Sequence, residues 1–450
     1  MMDRDDFYAG GKGGRIVDRL FGLKERGTTV RTEILAGMTT FLTMAYIVVV
    51  NPAILEQAGM DFGAVFVATV FASVIGTLIM GLFANYPIAI APGMGLNAYF
   101  AFSVVGQTGV RWETALGAVL VAGVIFLLLS VTPFREGLIR AIPESLKHGI
   151  TAGIGLFIAF IGLKSAGVIV GDEVNLVGLG DMHEPMTLLS LAGLFVTLIL
   201  MTLGVRGALF FGMVFTAFFG WVFDLFQLPD RWVTMPPSLA PTLGKAVVAI
   251  PDVFSQGLYA VIFAFLLVTL FDTTGTMIGV AEQAKLMKNG TFPRMRSALL
   301  ADAVGMTAGA AMGTSPTSAY IESSSGVAAG GRTGLTAVVV SILLLLTLFF
   351  APLVQAIAAL PAITAPTLII VGCFMLGGLK KVAWDDFDEA FPAFITMLSM
   401  PLTFSIATGI AFGFITYPLL KLVRGRFREI HPLMYLFMIL FILQLAFLPE

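Results

Sequence analysis

Apolar runs long enough to cross a bilayer recur along almost the whole of this 450-residue chain. A helix needs about 20 apolar residues to span the hydrocarbon core, and lipid offers no partner to open backbone groups, so such runs must be helices. Spans are expected at 32–50, 63–83, 87–106, 113–132, 145–164, 187–203 and 207–223. A second set follows at 255–279, 297–313, 315–330, 334–358, 362–379, 388–401 and 403–422. A last apolar stretch, 433–448, suits either a crossing or a surface helix. Only 12% of the residues are charged, against about 25% in soluble proteins. The chain reads as an all-α polytopic membrane protein whose main environment is the lipid bilayer. A net charge of −2 leaves no general basic surface for nucleic acid, and the single cysteine, Cys373, excludes an internal disulfide.

Charge placement orients the spans. With alternating crossings that start inside, 22 of the 26 Lys and Arg fall on the inner side, leaving Arg111, Lys164, Arg231 and Lys245 outside. This is the bias the positive-inside rule demands. The polar tail 1–31 has no signal-peptide core and is expected in the cytoplasm, with the chain in a bacterial inner membrane.

Two pairs of segments repeat. APGMGLNAYFAF in the third span and SPTSAYIESSSG in the tenth align Ala98-Tyr99 with Ala319-Tyr320, an offset of 221 residues. GLFIAFIGLK in the fifth and GCFMLGGLK in the twelfth align Lys164 with Lys380, an offset of 216. Seven spans separate the copies, and an odd number turns the second copy over, giving an inverted repeat of seven plus seven. The first pair is too rich in Pro, Gly and Ser for lipid-facing helix. Matched interruptions in two halves point to a transporter's binding site, with half-helix N-termini near the midplane.

Three acids fall inside spans of the second half: Asp272, within TLFDTTGT, Asp302 and Glu322. An ionised carboxylate at the bilayer centre costs at least about 2.5 kcal/mol. No Lys or Arg lies near mid-span in segments eight to ten to compensate. Burial favours the neutral form of a carboxyl, and a carboxyl that exchanges its proton can carry a coupling ion. The structural alternatives are specific. Asp272 and Glu322 could satisfy backbone groups freed by the breaks, Asp302 could be an interfacial helix cap near Arg296, and Asn97 could brace the opposite broken segment. Ser323, Ser324 and Thr276 read first as backbone partners and then as ligand contacts, Thr273 and Thr274 less so. Among aromatics, Phe41, Tyr99 and Phe271 lie near the right depth.

Other chemistries find little support. GLGD at 178–181 matches the GxGD pattern of intramembrane aspartyl proteases, but lies in a polar outer loop. DDFDE, 385–389, reads as a solvated inner loop. Three His, one Cys and no HExxH give no basis for a metal site, and no cofactor is expected.

FLTMAYIVVVNPAIL, APGMGLNAYF, FDTTGT and GTSPTSAYIESSSGVAAGGRTGLTA occur in this order. Together they resemble the nucleobase–cation symporter-2 superfamily (nucleobase/ascorbate transporters), and within it the AzgA-like hypoxanthine–adenine–guanine permeases, from about residue 15 to the C-terminus. The resemblance implies fourteen spans in two domains, with short strands in segments three and ten. A core would comprise 32–133 and 255–361, a gate 134–254 and 362–424, with 425–450 a C-terminal apolar segment. It implies purine-binding positions at Asn97, Asp272 and Glu322 and a supporting or coupling role for Asp302; Thr276, Ser323, Phe271 and Ala319 complete the expected substrate contacts. It implies import of adenine, guanine or hypoxanthine, often by dimers joined through the gate. Glu322, Asp272 and Asp302 become the proton-coupling candidates, with sodium the alternative ion. An anion transporter or channel on the same fold is the rival, and the three acids argue against it.

Overall fold

A computed structural model of the chain describes residues 12–132, 141–172, 176–287 and 292–447. Among them, nine helices are long and apolar enough to cross a membrane, and they coincide with expected spans 1, 2, 4, 5, 6, 8, 11, 12 and 14. The other five depart from a plain span for visible reasons. Segments three and ten are broken, Ala208–Val222 and Phe387–Thr403 are short, and Met295–Met312 carries Arg296 and Asp302.

The first half begins with α1 (Val30–Met44) and α2 (Ile47–Glu56), one crossing interrupted at Ala45–Tyr46, then α3 (Phe62–Ile79). The third crossing is a strand, β1 (Ile90–Pro92), a short helix, α4 (Met94–Ala98), and a wide-turned helix to Gln107. Next come α5 (Trp112–Val131), α6 (Glu144–Ser165), α7 (Pro185–Thr202) and α8 (Ala208–Val222). The second half holds α9 (Tyr259–Gln283), α10 (Met295–Met312), the strand of segment ten (Thr317–Ala319) and α11 (Ser323–Ala328). It ends with α12 (Gly334–Thr347), α13 (Pro361–Met375), α14 (Phe387–Thr403) and α15 (Ile406–Val423). A last helix, α16 (Pro432–Phe447), packs Phe437 and Phe441 against Phe263 and Phe414.

The outer loop after α6 holds a hairpin that the sequence reading left as plain loop. Its strands are β2 (Ile169–Asp172) and β3 (Leu176–Leu179). The strand of segment ten is therefore β4.

The repeat is written into the contacts. β1 and β4 pair antiparallel, Ile90 with Ala319, Ala91 with Ser318 and Pro92 with Thr317, as a two-fold axis in the membrane plane requires. Gly155 of α6 and Gly372 of α13, from the segments that repeat, also meet. A Cβ on Gly155 would lie 2.6 Å from the Gly372 carbonyl, and one on Gly372 would lie 2.4 Å from that of Gly155. Inside lipid, helix association depends on such close backbone approach. The offset of 221 is corrected, however. Ala98 closes a helix while Ala319 closes a strand, so strand on strand puts the true offset near 227. A two-residue Ala-Tyr match was a coincidence of local composition.

Helices pack in two groups. α10 lies against α3 and α5, and α12 against α1 and α3; α6 lies against α13 and α14, and α14 against α15. The groups touch near one end through Gln107, whose side-chain N–H donates to the Thr403 carbonyl at 2.9 Å, and Ser103, which donates to the Phe404 carbonyl. Phe404 sits in left-handed backbone (φ 52°) at the α14–α15 junction, with Phe157 and Phe160 edge-on and the Lys164 amine 5.3 Å from its ring centroid.

The acidic run 385–389 is corrected too. Asp388 is 1% exposed, and Lys421, equally buried, bonds it at 3.2 Å, Glu389 at 2.9 Å and Glu429 at 3.3 Å. Arg424 and Arg426 pair with Asp386 and Asp388. The Asp386 carboxyl is held below the usual carboxylate range, first by its hydrogen bond to Asp388 and then by Arg426. The basic partners lie some 35 residues away, so no local pattern revealed the cluster.

Candidate substrate site between the broken segments

Irregular backbone inside a membrane must find partners, and side chains supply them. The Thr77 hydroxyl accepts from Ile90 N–H at 2.9 Å and donates to its carbonyl at 3.0 Å. Ser323 Oγ accepts from Ala89 N–H at 3.0 Å, and the Thr273 hydroxyl from Ala319 N–H at 3.4 Å. Gly93 N–H reaches the Pro316 carbonyl at 2.9 Å, and Tyr320 N–H the Ala89 carbonyl at 2.9 Å. Tyr320 also donates its hydroxyl to the Pro92 carbonyl at 2.6 Å. Ser323 and Ala319 are thus tied into the backbone of the crossing itself.

Asp302 is fully buried. Thr273 donates to one of its oxygens and Thr317 to the other at 2.9 Å. The interfacial-cap reading fails, because the carboxylate lies seven residues into α10 and clamps β4 to α9. Thr273, rated low from sequence, is the link between Asp302 and the strand.

Asn97 is fully buried as well. Its amide donates to Asn51 Oδ1 at 3.1 Å, and the same oxygen accepts from Ser315 at 2.9 Å. Asn51 in turn donates to Thr69 at 2.7 Å and Thr314 at 2.9 Å. Asn97 therefore connects to the approach of the opposite broken segment through Asn51. Its own Oδ1 has no partner among the described residues.

Asp272 and Glu322 differ from these. Both are only partly buried and neither forms an ion pair among the described residues. They lie close enough for their charges to act on each other, and Ser318 is within hydrogen-bonding reach of Asp272. Glu322 accepts from the Tyr46 hydroxyl at 2.5 Å, and the Tyr46 and Tyr320 rings stand 6.5 Å apart. Tyr46 sits where the first crossing bends, and the sequence reading missed it; the clue was a lone phenol amid an apolar run.

The open space beside these acids can be traced on α9. Asp272, Gly275, Thr276 and Gly279 recur at helical spacing and share one face. A Cβ added to Gly275 or Gly279 would meet nothing within 4 Å. Phe271, half-buried, flanks that face, with the Lys147 amine of α6 6.0 Å from its ring centroid. Phe41 is also half-buried, whereas Tyr99 is buried against Phe265 with centroids 5.0 Å apart. Asp181 of the GLGD motif lies on an exposed turn, 3.4 Å from His183.

A vacant face of α9, two carboxyls without an ion-pair partner among the described residues and a phenol would suit a small, flat, donor-rich guest. Comparison with known proteins agrees. The chain is 56% identical over 433 residues to the guanine/hypoxanthine permease PbuO of Bacillus subtilis, covering 95% of this chain and all of that one. It is 46% identical to the adenine permease AdeP of Escherichia coli, with 97% of both chains covered. The nucleobase transporter PlAzg2 of Paenibacillus larvae is 34% identical over 86% of this chain and 77% of its own. Among solved structures, the transmembrane domain of the cyanobacterial bicarbonate transporter BicA superposes with a TM-score of 0.60 at 13% identity, over 84% of this chain and 97% of that domain. SLC26A9 gives 0.62 at 14% identity, over 94% and 72%. These two share the seven-plus-seven inverted-repeat fold. A family model described as a permease family matches residues 31–412, and with these relatives it makes the chain a member of that family, the nucleobase/ascorbate transporters.

Proposed function

We propose that the protein imports purine bases (adenine, guanine or hypoxanthine) with protons, by alternating access. The observation that carries this is the pair Asp272 and Glu322, both only partly buried and without an ion-pair partner among the described residues. A purine is nearly uncharged at neutral pH and edged with N–H donors. Glu322 keeps lone pairs beyond the one Tyr46 occupies, and Asp272 keeps lone pairs beyond Ser318, so both can accept from ring and exocyclic N–H groups. Asn97 Oδ1 is a further free acceptor from the first half. A site that pairs every edge discriminates strongly, because a mispaired analogue leaves buried groups unsatisfied. At least one carboxyl cycles a proton, and Asp302 holds β4 so that both stay aimed.

In this reading the group built on α3, α5 and α10 is the core and the group built on α6, α13 and α14 is the gate. The N-terminal tail lies in the cytoplasm, the membrane is a bacterial inner membrane, and the gate pairs in a homodimer. The core moves against the gate, and the Ser103–Phe404 contact must part in each cycle. Fold likeness to bicarbonate and anion transporters carries no substrate, and two acids in the pocket oppose an anion. Uptake of labelled hypoxanthine, adenine and guanine into vesicles under an inward proton gradient tests the assignment. Accumulation that collapses with the gradient and ignores sodium replacement is expected; none of the three accumulating would sink it.

A further inference from the structure

On the side where the N-terminal segment lies, far along α9 from Asp272, a cleft of about 1140 Å³ opens between residues 18–27, the end of the second crossing, residues 284–286 after α9 and residues 293–294 before α10. Six cations line it, Arg19, Lys24, Arg26, Lys285, Arg294 and Arg332, against two acids, Asp18 and Glu25. None of the six side chains forms an ion pair among the described residues. Arg26 is occupied by the Asn85 and Arg332 carbonyls, both at 2.7 Å, and Arg332 by the Val327 and Gly331 carbonyls. Arg19, Lys24, Lys285 and Arg294 are exposed, and with only Asp18 and Glu25 opposing the six cations the described lining carries a net excess of four positive charges.

The backbone is unusual here as well. Asn85, Lys285 and Arg294, all lining the cleft, adopt left-handed conformations with φ of 57°, 58° and 54°. Asn85 and Lys285 follow helix ends, where a left-handed residue is a common stop, and Arg294 immediately precedes α10. Two of the three, Lys285 and Arg294, are exposed cations that line the cleft at the end of α9 and the start of α10. One wall is rigid: Arg26 lies 5.7 Å from the Tyr86 ring centroid, Tyr86 stacks on Phe292 at 4.6 Å, and its hydroxyl bonds the Pro293 carbonyl.

We propose that this cleft binds a phosphate group, carried by a soluble phosphate or by a lipid headgroup. Converging cations that outnumber the acids beside them repel one another until a multivalent anion joins them, and Arg forks with Lys point charges are the usual phosphate partners. Bound there, the phosphate would tie the N-terminal segment to the end of the Asp272 helix.

The test needs no purine, so its outcome is separate from that of the transport assignment. The full chain is placed in nanodiscs of phosphatidylcholine alone, or with phosphatidylglycerol, and its melting temperature is followed against inorganic phosphate at constant ionic strength. A rise with phosphate in phosphatidylcholine discs identifies a soluble ligand; a rise with phosphatidylglycerol alone identifies a headgroup. Two double variants, Lys285→Gln with Arg294→Gln and Arg19→Gln with Lys24→Gln, should each weaken the half-saturating concentration at least tenfold. No rise from either source, or a rise that both double variants keep in full, would overturn the proposal.

Discussion

The two broken segments share a fold and differ in chemistry. In the first, Ile90 to Ala98 is buried throughout, and Gly95 presses so closely on α6 that a Cβ would lie 2.4 Å from Ile154. In the second, β4 is equally buried, but Ile321, Glu322, Ser324 and Ser325 emerge into open space. Symmetry therefore supplies the paired strands and the breaks, while asymmetry of sequence decides which half braces and which half binds. The first segment acts as a strut against the neighbouring helix group, and the second presents Glu322 beside Asp272 of α9.

The largest test of that contrast removes the acids. Glu322→Gln and Asp272→Asn should each lower purine uptake at least about 100-fold with normal membrane insertion, since a buried ligand then loses a charged hydrogen-bond partner worth about 1.5–3 kcal/mol together with proton coupling. Unchanged uptake in both would break the comparison.

Next come the glycines. Gly275→Leu should fill the vacant face of α9 and abolish uptake while leaving the melting temperature within a degree or two. Gly95→Leu should lower both, because Ile154 cannot retreat without moving α6. A substrate-protected melting curve and an uptake assay on each variant separate the two behaviours. Equal stability losses would mean that the α9 face is not open.

A smaller effect is expected in the polar struts. Asn51→Ala leaves Thr69, Thr314, Ser315 and Asn97 short of a shared partner, and should cost about 1–3 kcal/mol of stability. The melting temperature should fall while purine affinity in the surviving protein stays within a few-fold. Smaller still, Tyr46→Phe removes one hydrogen bond to Glu322 and should weaken binding a few-fold while shifting the pH dependence of uptake. An unshifted pH profile would separate Tyr46 from the titrating carboxyl.

How far the sequence revealed this depends on range. Spans were legible because each is a local run, and the broken segments because Pro, Gly and Ser cluster within a dozen residues. Asp272 and Glu322 stood out because a carboxylate in an apolar run is costly wherever it points. Tyr46 and Asn51 did not stand out and Thr273 ranked low: each gains its meaning from a partner remote in sequence, as Tyr46 does from Glu322, 276 residues on. The same limit hid Lys421 behind DDFDE and misplaced the repeat by about six residues, since a register is fixed by strand pairing and not by a two-residue match.

The central claim is that a purine sits against Asp272 and Glu322, and equilibrium binding measures it most directly. Purified protein should bind labelled hypoxanthine or guanine saturably, compete with purines and not pyrimidines, and lose that binding in Asp272→Asn and Glu322→Gln alike. Full affinity in both folded variants would place the substrate elsewhere and contradict the account.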